Sequence, residues 1–143
     1  MFGSSPVRAL MASVLSLGLA AGCGSSPKSE PLSADPEESF RLNTMNEVGE
    51  LLTVRQSEAK SPPASAKDLA RYQAGWTSGY RKVNEGAISV FWNVPVEEAA
   101  AEKILAHEKS APETGGFVLM QDGKTVKKLT ADEFKAAPKA GKN

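Results

Sequence analysis

The chain of 143 residues contains little of the chemistry on which several protein classes depend. It has one cysteine and one histidine, which excludes an internal disulfide and any zinc or iron–sulfur site built from several thiolates. Seventeen basic residues balance seventeen acidic ones, so the sequence lacks the basic excess of nucleic-acid-binding proteins and indicates no such partner. Hydrophobic residues make up 41% and aromatic residues 6%, which suits a modest core in one domain.

The sequence also lacks an apolar run long enough for a membrane-spanning helix near its N-terminus. Residues 9–22 are weakly apolar, but this stretch is too short and too rich in Ala, Gly and Ser, since a spanning helix needs roughly 20 apolar residues. Arg8 precedes the stretch and is the only charged residue before Lys28. A basic residue followed by a short apolar segment is typical of a secretory signal peptide, which we predict over residues 1–22.

The predicted signal peptide ends at the only cysteine. Residues 19–23 read Leu-Ala-Ala-Gly-Cys and resemble the bacterial lipobox, although Ala20 stands where the usual pattern has Leu. The resemblance implies that Cys23 becomes the first residue of the mature chain and anchors it in a membrane. One acyl chain holds a protein only marginally, so the resemblance implies at least two on Cys23. Gly24 rather than Asp follows the cysteine, so the resemblance implies the outer membrane, facing the periplasm.

The stretch that follows has the composition of a linker. Residues 24–37 contain three prolines, four serines and one large aliphatic side chain. Such a segment cannot bury enough apolar surface to fold, so residues 23–37 are predicted to form a lipidated cysteine and a flexible tether. The same neighbours argue against the alternative for Cys23, an inert thiol buried in a core.

A globular domain is predicted over residues 38–137, beginning with one long amphipathic helix over about residues 37–59. At 100° per residue, five apolar side chains share one face of this helix. These are Phe40, Met45, Val48, Leu51 and Leu52. Pro62 and Pro63 end the helix, because neither residue donates a backbone hydrogen bond.

A second, short helix is predicted over residues 66–72, because Ser65 is a favourable N-cap residue. A connection punctuated by glycine is expected next, and it includes Trp76, Gly79 and Tyr80.

The remaining pattern changes to strands. Residues 87–94 and 116–121 are rich in β-branched and aromatic residues, as strands are. The pair Asp122-Gly123 predicts a two-residue hairpin turn with positive φ at both positions, leading into a strand over residues 125–129.

Thr130 is predicted to cap a last helical turn over residues 131–136, with Glu133 at the capping-box position. Residues 138–143 are predicted to be a disordered tail.

One segment, residues 97–109, has two interpretations. Its helix propensity alone predicts a helix. However, residues 104–109 (Ile-Leu-Ala-His-Glu-Lys), 115–123 (Gly-Gly-Phe-Val-Leu-Met-Gln-Asp-Gly) and 129–134 (Leu-Thr-Ala-Asp-Glu-Phe) together resemble the C-terminal region of small envelope proteins related to type II secretion pseudopilins. This resemblance covers about the last third of the chain and the long helix before it.

The resemblance implies an α+β fold in which one long helix packs on a small antiparallel β-meander, with a strand over residues 102–108. True pseudopilins carry a prepilin cleavage motif and an N-terminal helix that stays in the membrane. This chain has a lipobox and a polar tether instead, so the resemblance does not extend to the mode of assembly. His107 stands where the family more often has Tyr.

Candidate catalytic groups are few. A nucleophilic site needs a base beside its Ser or Cys, and the only imidazole belongs to His107. Neighbouring strands could bring His107, Glu108 and Asp122 together as a metal or acid–base cluster, but a half-exposed strand residue beside solvated charges is the more ordinary interpretation. The sequence therefore indicates no catalytic residue, no metal and no cofactor. Lys124, Lys127 and Lys128 are interpreted as a basic edge that limits strand-to-strand aggregation.

Two classes of function remain open. The first is a non-catalytic interaction or structural module, anchored in the membrane through Cys23, that contacts an envelope protein through a sheet edge or a helix. The alternative is a small enzyme or metal-binding protein that uses His107. The change His107→Ala separates them, since it leaves the first intact and abolishes the second. The sequence implies no small-molecule substrate.

Overall fold

The computed structural model of the chain describes residues 35–141. The predicted signal peptide, Cys23 and the tether up to residue 34 lie outside these residues, as do residues 142 and 143. The described part has an α+β fold with four α-helices, one short 3₁₀ helix and one four-stranded antiparallel sheet. Among the described helices, none combines the length and apolar character that crossing a bilayer requires.

Helix α1 spans Pro36–Ala59 and confirms the predicted long helix. Asp35 is its N-cap residue, because the Asp35 side chain accepts a hydrogen bond of 2.9 Å from the backbone N–H of Glu37. Pro36 fits the first helical turn, where a missing N–H costs nothing. Residues 36 and 37, predicted as part of the tether, therefore belong to the helix. The helix ends at Lys60, which adopts a left-handed conformation with φ 58°.

The apolar face of α1 packs on the sheet, as predicted, except at its first residue. Met45, Val48 and Leu51 are fully buried, whereas Phe40 remains 47% exposed. The apolar pattern correctly predicts the helix but not where its contact with the sheet begins.

The segment after α1 contains two helices. A 3₁₀ helix, Ala66–Tyr72, confirms the predicted short helix, and helix α2 spans Thr77–Asn84 where a loop is predicted. Gly79 lies inside α2 and touches α1, since a Cβ at this position would meet the Cβ of Glu47 at 2.9 Å. The prediction of a loop is wrong because this glycine serves a close helix–helix approach.

The sheet is a meander. Its strands are β1 (Ile88–Val90), β2 (Ile104–Glu108), β3 (Gly116–Met120) and β4 (Val126–Leu129), paired antiparallel in the order β1-β2-β3-β4. The strand predicted over residues 102–108 is confirmed from residue 104 onward, whereas residues 102 and 103 lie in a turn. The helix that propensity alone predicts for this segment does not form.

Two details of the predicted sheet are wrong. Strand β1 ends at Val90, four residues early, because the chain turns away at Asn93, which has φ 61° and donates its N–H to the carbonyl of Pro63 at 2.9 Å. The hairpin between β3 and β4 has a loop over residues 121–124, closed by a bond from the N–H of Met120 to the carbonyl of Thr125 at 2.9 Å. In this loop Gly123 has positive φ and Asp122 does not.

Both faces of the sheet are covered. Helix α1 covers one face, where Leu105, Phe117 and Leu119 join its buried side chains. Helices α3 (Ala111–Thr114) and α4 (Ala131–Ala136) pack at the other. That second cluster contains Ile104, Ala111, Val118, Met120 and Phe134.

The predicted capping box of α4 is present, with Thr130 as N-cap residue and Glu133 as its partner.

The prediction of disorder from residue 138 is wrong for residues 138–141. The N–H of Ile104 donates to the carbonyl of Pro138, and the N–H of Ala140 donates to the carbonyl of Ile104. Ala140 is buried, so the chain end adds a short parallel bridge to β2.

Candidate functional site

A groove of about 1020 Å³ opens beside the N-terminal turns of α1. Antiparallel pairing brings the start of β1, the end of β2, the start of β3 and the end of β4 to the same end of the sheet. The first turns of α1 and one residue of α2, Lys82, complete the wall. We call this site the α1 groove. The residues of its lining used below are Glu37, Phe40, Arg41, Lys82, Ile88, Glu108, Lys109, Lys128 and Leu129.

An ion pair between Arg41 and Glu108 lies in the lining of the α1 groove. Arg41 donates from Nε to Oε1 of Glu108 at 2.7 Å and from Nη2 to Oε2 at 2.6 Å, a bidentate arrangement. Oε2 of Glu108 also accepts the backbone N–H of Phe117 at 2.7 Å. The hydrogen bonds to Glu108 raise the pKa of Arg41 above its ordinary value. Glu108 is therefore held by α1 and β3 at once.

Two neighbours complete this arrangement. Gly116 leaves room for the carboxylate, because a Cβ there would lie 2.5 Å from Oε2 of Glu108. The guanidinium carbon of Arg41 lies 5.4 Å from the ring centroid of Phe117, within the range of a cation–π contact. Gly116, the second residue of the Gly-Gly pair in the pattern that the sequence resembles, thus has a local physical reason.

The other cations of the groove differ in their partners. Lys128 donates to Oε1 of Glu38 at 2.8 Å, which ties β4 to α1. Lys82 and Lys109 form no ion pair within residues 35–141. Within residues 35–141, the groove thus holds two cations in ion pairs and two cations without one.

The rim of the groove is apolar at Phe40. Its exposed fraction of 47% is large for a phenylalanine, and no other large hydrophobic side chain within residues 35–141 is as exposed. Ile88 and Leu129 extend the apolar lining inward. The site therefore combines free positive charge with accessible apolar surface.

His107 lies on the opposite face of the sheet from the α1 groove. Its ring centroid is 5.8 Å from that of Phe91 and 4.7 Å from that of Phe134. Nδ1 of His107 lies 2.8 Å from the carbonyl oxygen of Glu108, and because a carbonyl only accepts, Nδ1 carries the hydrogen and donates. The imidazole is thus packed as a structural ring between aromatic neighbours.

Asp122 has the turn role that its position in the sequence predicts. Its carboxylate accepts from the N–H of Lys124 at 3.0 Å and from the N–H and hydroxyl of Thr125 at 2.8 and 2.5 Å. Burial raises the pKa of Asp122, but these hydrogen bonds outweigh it and leave the pKa below its ordinary value.

The structure does not bring the three residues of the hypothetical cluster together. His107 and Glu108 face opposite sides of β2, and Asp122 lies in the hairpin loop, bound to its own neighbours. In the part of the chain that the structure describes, no three His, Cys, Asp or Glu side chains are placed to hold a metal ion.

The predicted basic edge is divided between different contacts. Lys124 pairs with Glu98 at 2.8 Å, Lys127 is exposed on β4, and Lys128 lines the α1 groove. The sequence does not predict the groove, because no local pattern links Arg41 to Glu108 across 67 positions.

The fold and the groove define a small α+β domain in which one long helix covers a four-stranded meander and leaves an open cationic and apolar site at its first turns. No protein-family model, curated protein or solved structure matches the chain.

Proposed function

We propose that this chain is a lipid-anchored envelope lipoprotein and that its α+β domain acts as a non-catalytic interaction module. The anchor is assigned to Cys23, on the basis of the lipobox-like residues 19–23 and the basic, weakly apolar segment before them. The proposed location is the outer membrane, facing the periplasm, because Gly24 follows the cysteine.

The hydrogen bonds of Glu108 are the main observation that supports a role in binding rather than in catalysis. Glu108 and Glu37 are the two carboxylates in the lining of the α1 groove, and Glu108 is the deeper one. A general base must present an oxygen to the substrate, whereas both oxygens of Glu108 are engaged by Arg41 and Oε2 also accepts the N–H of Phe117. Its role is to hold elements together.

The partner proposed for this module is another envelope protein. Strands β1 and β4 are the outer strands of the sheet. An outer strand offers unpaired backbone groups to an added strand, one of the recurrent modes of peptide recognition. A pseudopilin-like relationship is part of the proposal, supported by the order of a long helix, a meander and a short capped helix.

The anchor is tested by mass spectrometry and fractionation of the expressed full chain. We expect an N-terminal peptide that begins at Cys23 and carries acyl mass, and release of the Cys23→Ser variant from membranes. Ser26→Ala is the matched control, three positions away, and should stay membrane-bound. A mature protein that begins with unmodified Met1 contradicts the proposal.

The interaction module is tested by capture from detergent-solubilised envelope with Cys23 intact. We expect His107→Ala to capture the same envelope protein as the unmodified chain, because His107 lies among aromatic rings away from the outer strand β4. Loss of a chemical activity or of a bound metal in His107→Ala would instead support the enzyme or metal-binding alternative.

A further inference from the structure

The α1 groove lies at the end of α1 that is nearest in sequence to Cys23. Cys23 precedes Asp35, the N-cap residue of α1, by twelve positions. Twelve residues span at most about 40 Å even when fully extended. If Cys23 is lipidated, as the proposed function requires, the start of α1, beside which the groove opens, stays within this distance of the bilayer surface.

The free charge of the groove is positive. Arg41 is neutralised by Glu108 and Lys128 by Glu38. Of the lysines that line the groove, Lys82 on α2 and Lys109 after β2 then remain without an ion pair to any residue of the described part of the chain. Glu37 is the acidic residue of the lining that does not pair with a cation, so the unpaired lysines outnumber the unpaired acids.

The groove has an apolar entrance beside these lysines. Phe40 is 47% exposed at the rim, one helical position before Arg41. A phenylalanine beside basic residues is typical of segments that rest at the boundary between lipid headgroups and acyl chains. An acidic ligand with an attached apolar part matches both features of the site.

We propose that the α1 groove binds the phosphate headgroup of an anionic phospholipid in the membrane that holds Cys23. Lys82 and Lys109 contact the phosphate, and Phe40 enters the boundary between headgroups and acyl chains. A lysine near an anionic surface strengthens binding about fivefold, which is weak in solution. Such weak binding suffices here, because the lipid on Cys23 already holds the chain at the membrane. Binding of the headgroup in the groove is then an intramolecular contact at a raised effective lipid concentration.

The first experiment measures lysine reactivity in the full lipidated chain on vesicles. Acylation by an N-hydroxysuccinimide ester, followed by mass spectrometry, is compared between vesicles of phosphatidylcholine and vesicles that also contain phosphatidylglycerol. We expect several-fold protection of Lys82 and Lys109 only with phosphatidylglycerol. Lys103 is the internal control, because it is exposed before β2, at the end of that strand away from the groove. Equal reactivity of Lys82 and Lys109 on both vesicles overturns the inference.

A second experiment separates this inference from the proposed lipidation. The full chain with Cys23→Ser, which no acyl chain anchors, is sedimented with phosphatidylglycerol vesicles. We expect weak, salt-sensitive binding that Lys82→Gln with Lys109→Gln reduces at least tenfold and that Lys67→Gln with Lys103→Gln leaves unchanged. Equal binding of both double variants overturns the groove assignment, whether or not Cys23 is lipidated.

A third experiment tests the competing ligand of the groove, an acidic protein segment. Soluble poly-glutamate is added to the Cys23→Ser chain, and the reactivity of Lys82 and Lys109 is measured again. Protection by poly-glutamate and not by phosphatidylglycerol vesicles overturns the lipid assignment in favour of an acidic protein segment. Protection by the vesicles alone supports it.

Discussion

Arg41 and Glu108 lie 67 positions apart and meet through two parallel hydrogen bonds, of 2.7 and 2.6 Å. Because Glu108 also accepts the N–H of Phe117, one carboxylate joins α1, β2 and β3. Bidentate pairs of this kind fix geometry as well as adding energy. The pair therefore determines how the first turns of α1 sit over the end of the sheet.

Removing the charge of Glu108 should destabilise the domain. Glu108→Gln replaces one accepting oxygen with an NH₂ group, which leaves Arg41 and the N–H of Phe117 competing for the other. We expect a loss of about 1–3 kcal/mol in the free energy of unfolding, measured with urea. The control is Glu113→Gln on α3, an exposed residue, which should change the free energy by less than about 0.5 kcal/mol. Equal losses in Glu108→Gln and Glu113→Gln would mean that the pair of Arg41 and Glu108 contributes no stability.

Two glycines with the same backbone conformation should respond differently to alanine. Gly86 has φ 73° and open space around the position that a Cβ would take, whereas Gly123 has φ 70° and its Cβ would lie 2.7 Å from Val96 and 2.8 Å from Thr53. Gly86→Ala should cost only the strain of a positive φ, about 1 kcal/mol. Gly123→Ala should cost about 1–3 kcal/mol more, because packed neighbours must move. Thermal unfolding of the two variants measures the difference between their stability losses.

Equal losses in both variants would show that the hairpin loop is not packed against α1 and the segment after β1. Gly141 is not a neutral control for such a series. It has φ 71°, and a Cβ there would lie 2.5 Å from the side chain of Val94.

Asp122 should contribute stability that depends on acidity. Its pKa is lower in the folded chain than its ordinary value, so its contribution is present above about pH 4 and is lost as the pH falls through the folded pKa. Asp122→Asn should cost about 1–2 kcal/mol at pH 7 and progressively less below about pH 4. Urea unfolding across this pH range measures the difference from the unmodified chain.

Asp132→Asn is the matched control for Asp122, because the Asp132 side chain is 99% exposed. Its effect should stay within about 0.5 kcal/mol at every pH. A constant loss in Asp122→Asn down to about pH 2 would contradict the assigned direction of the pKa shift.

Phe40 and Met45 share a predicted helix face but should differ in their contribution to the core. Phe40→Ser should change the free energy of unfolding by less than about 1 kcal/mol, since about half of the side chain is already exposed. Met45→Ala should cost about 2–5 kcal/mol, because Met45 is fully buried. A large loss in Phe40→Ser would show that the ring is part of the core and does not form the rim of the groove.

The elements that sequence predicts well are those whose pattern is local. The period of α1, the capping box at Thr130 and the strand at residues 116–120 each follow from neighbours within a few positions. The hairpin loop is predicted in place but not in type. In the four-residue loop, the Asp122 carboxylate accepts hydrogen bonds from Thr125. Thr125 lies outside the Asp122-Gly123 pair from which the turn type is predicted.

The features that sequence misses depend on distant contacts. The sequence predicts a loop at Gly79, because the contact of this residue with Glu47 on α1 is not visible in the local pattern. It predicts disorder for residues 138–141, because the hydrogen bonds of Ile104 to the residues on both sides of Lys139 join distant positions. The α1 groove belongs to this class. Its lysines come from α2, from the end of β2 and from β4, which only the tertiary fold brings together.

The two ion pairs at the start of α1 also determine how the domain bears a mechanical load. A pull applied through the chain before Asp35 enters the fold at Pro36, close to the ion pairs from Glu38 to Lys128 and from Arg41 to Glu108. These pairs attach to β4 and β2, on either side of β3. Because Glu108 also accepts the N–H of Phe117 on β3, the start of α1 is connected to three strands, and a load on it is distributed over all three.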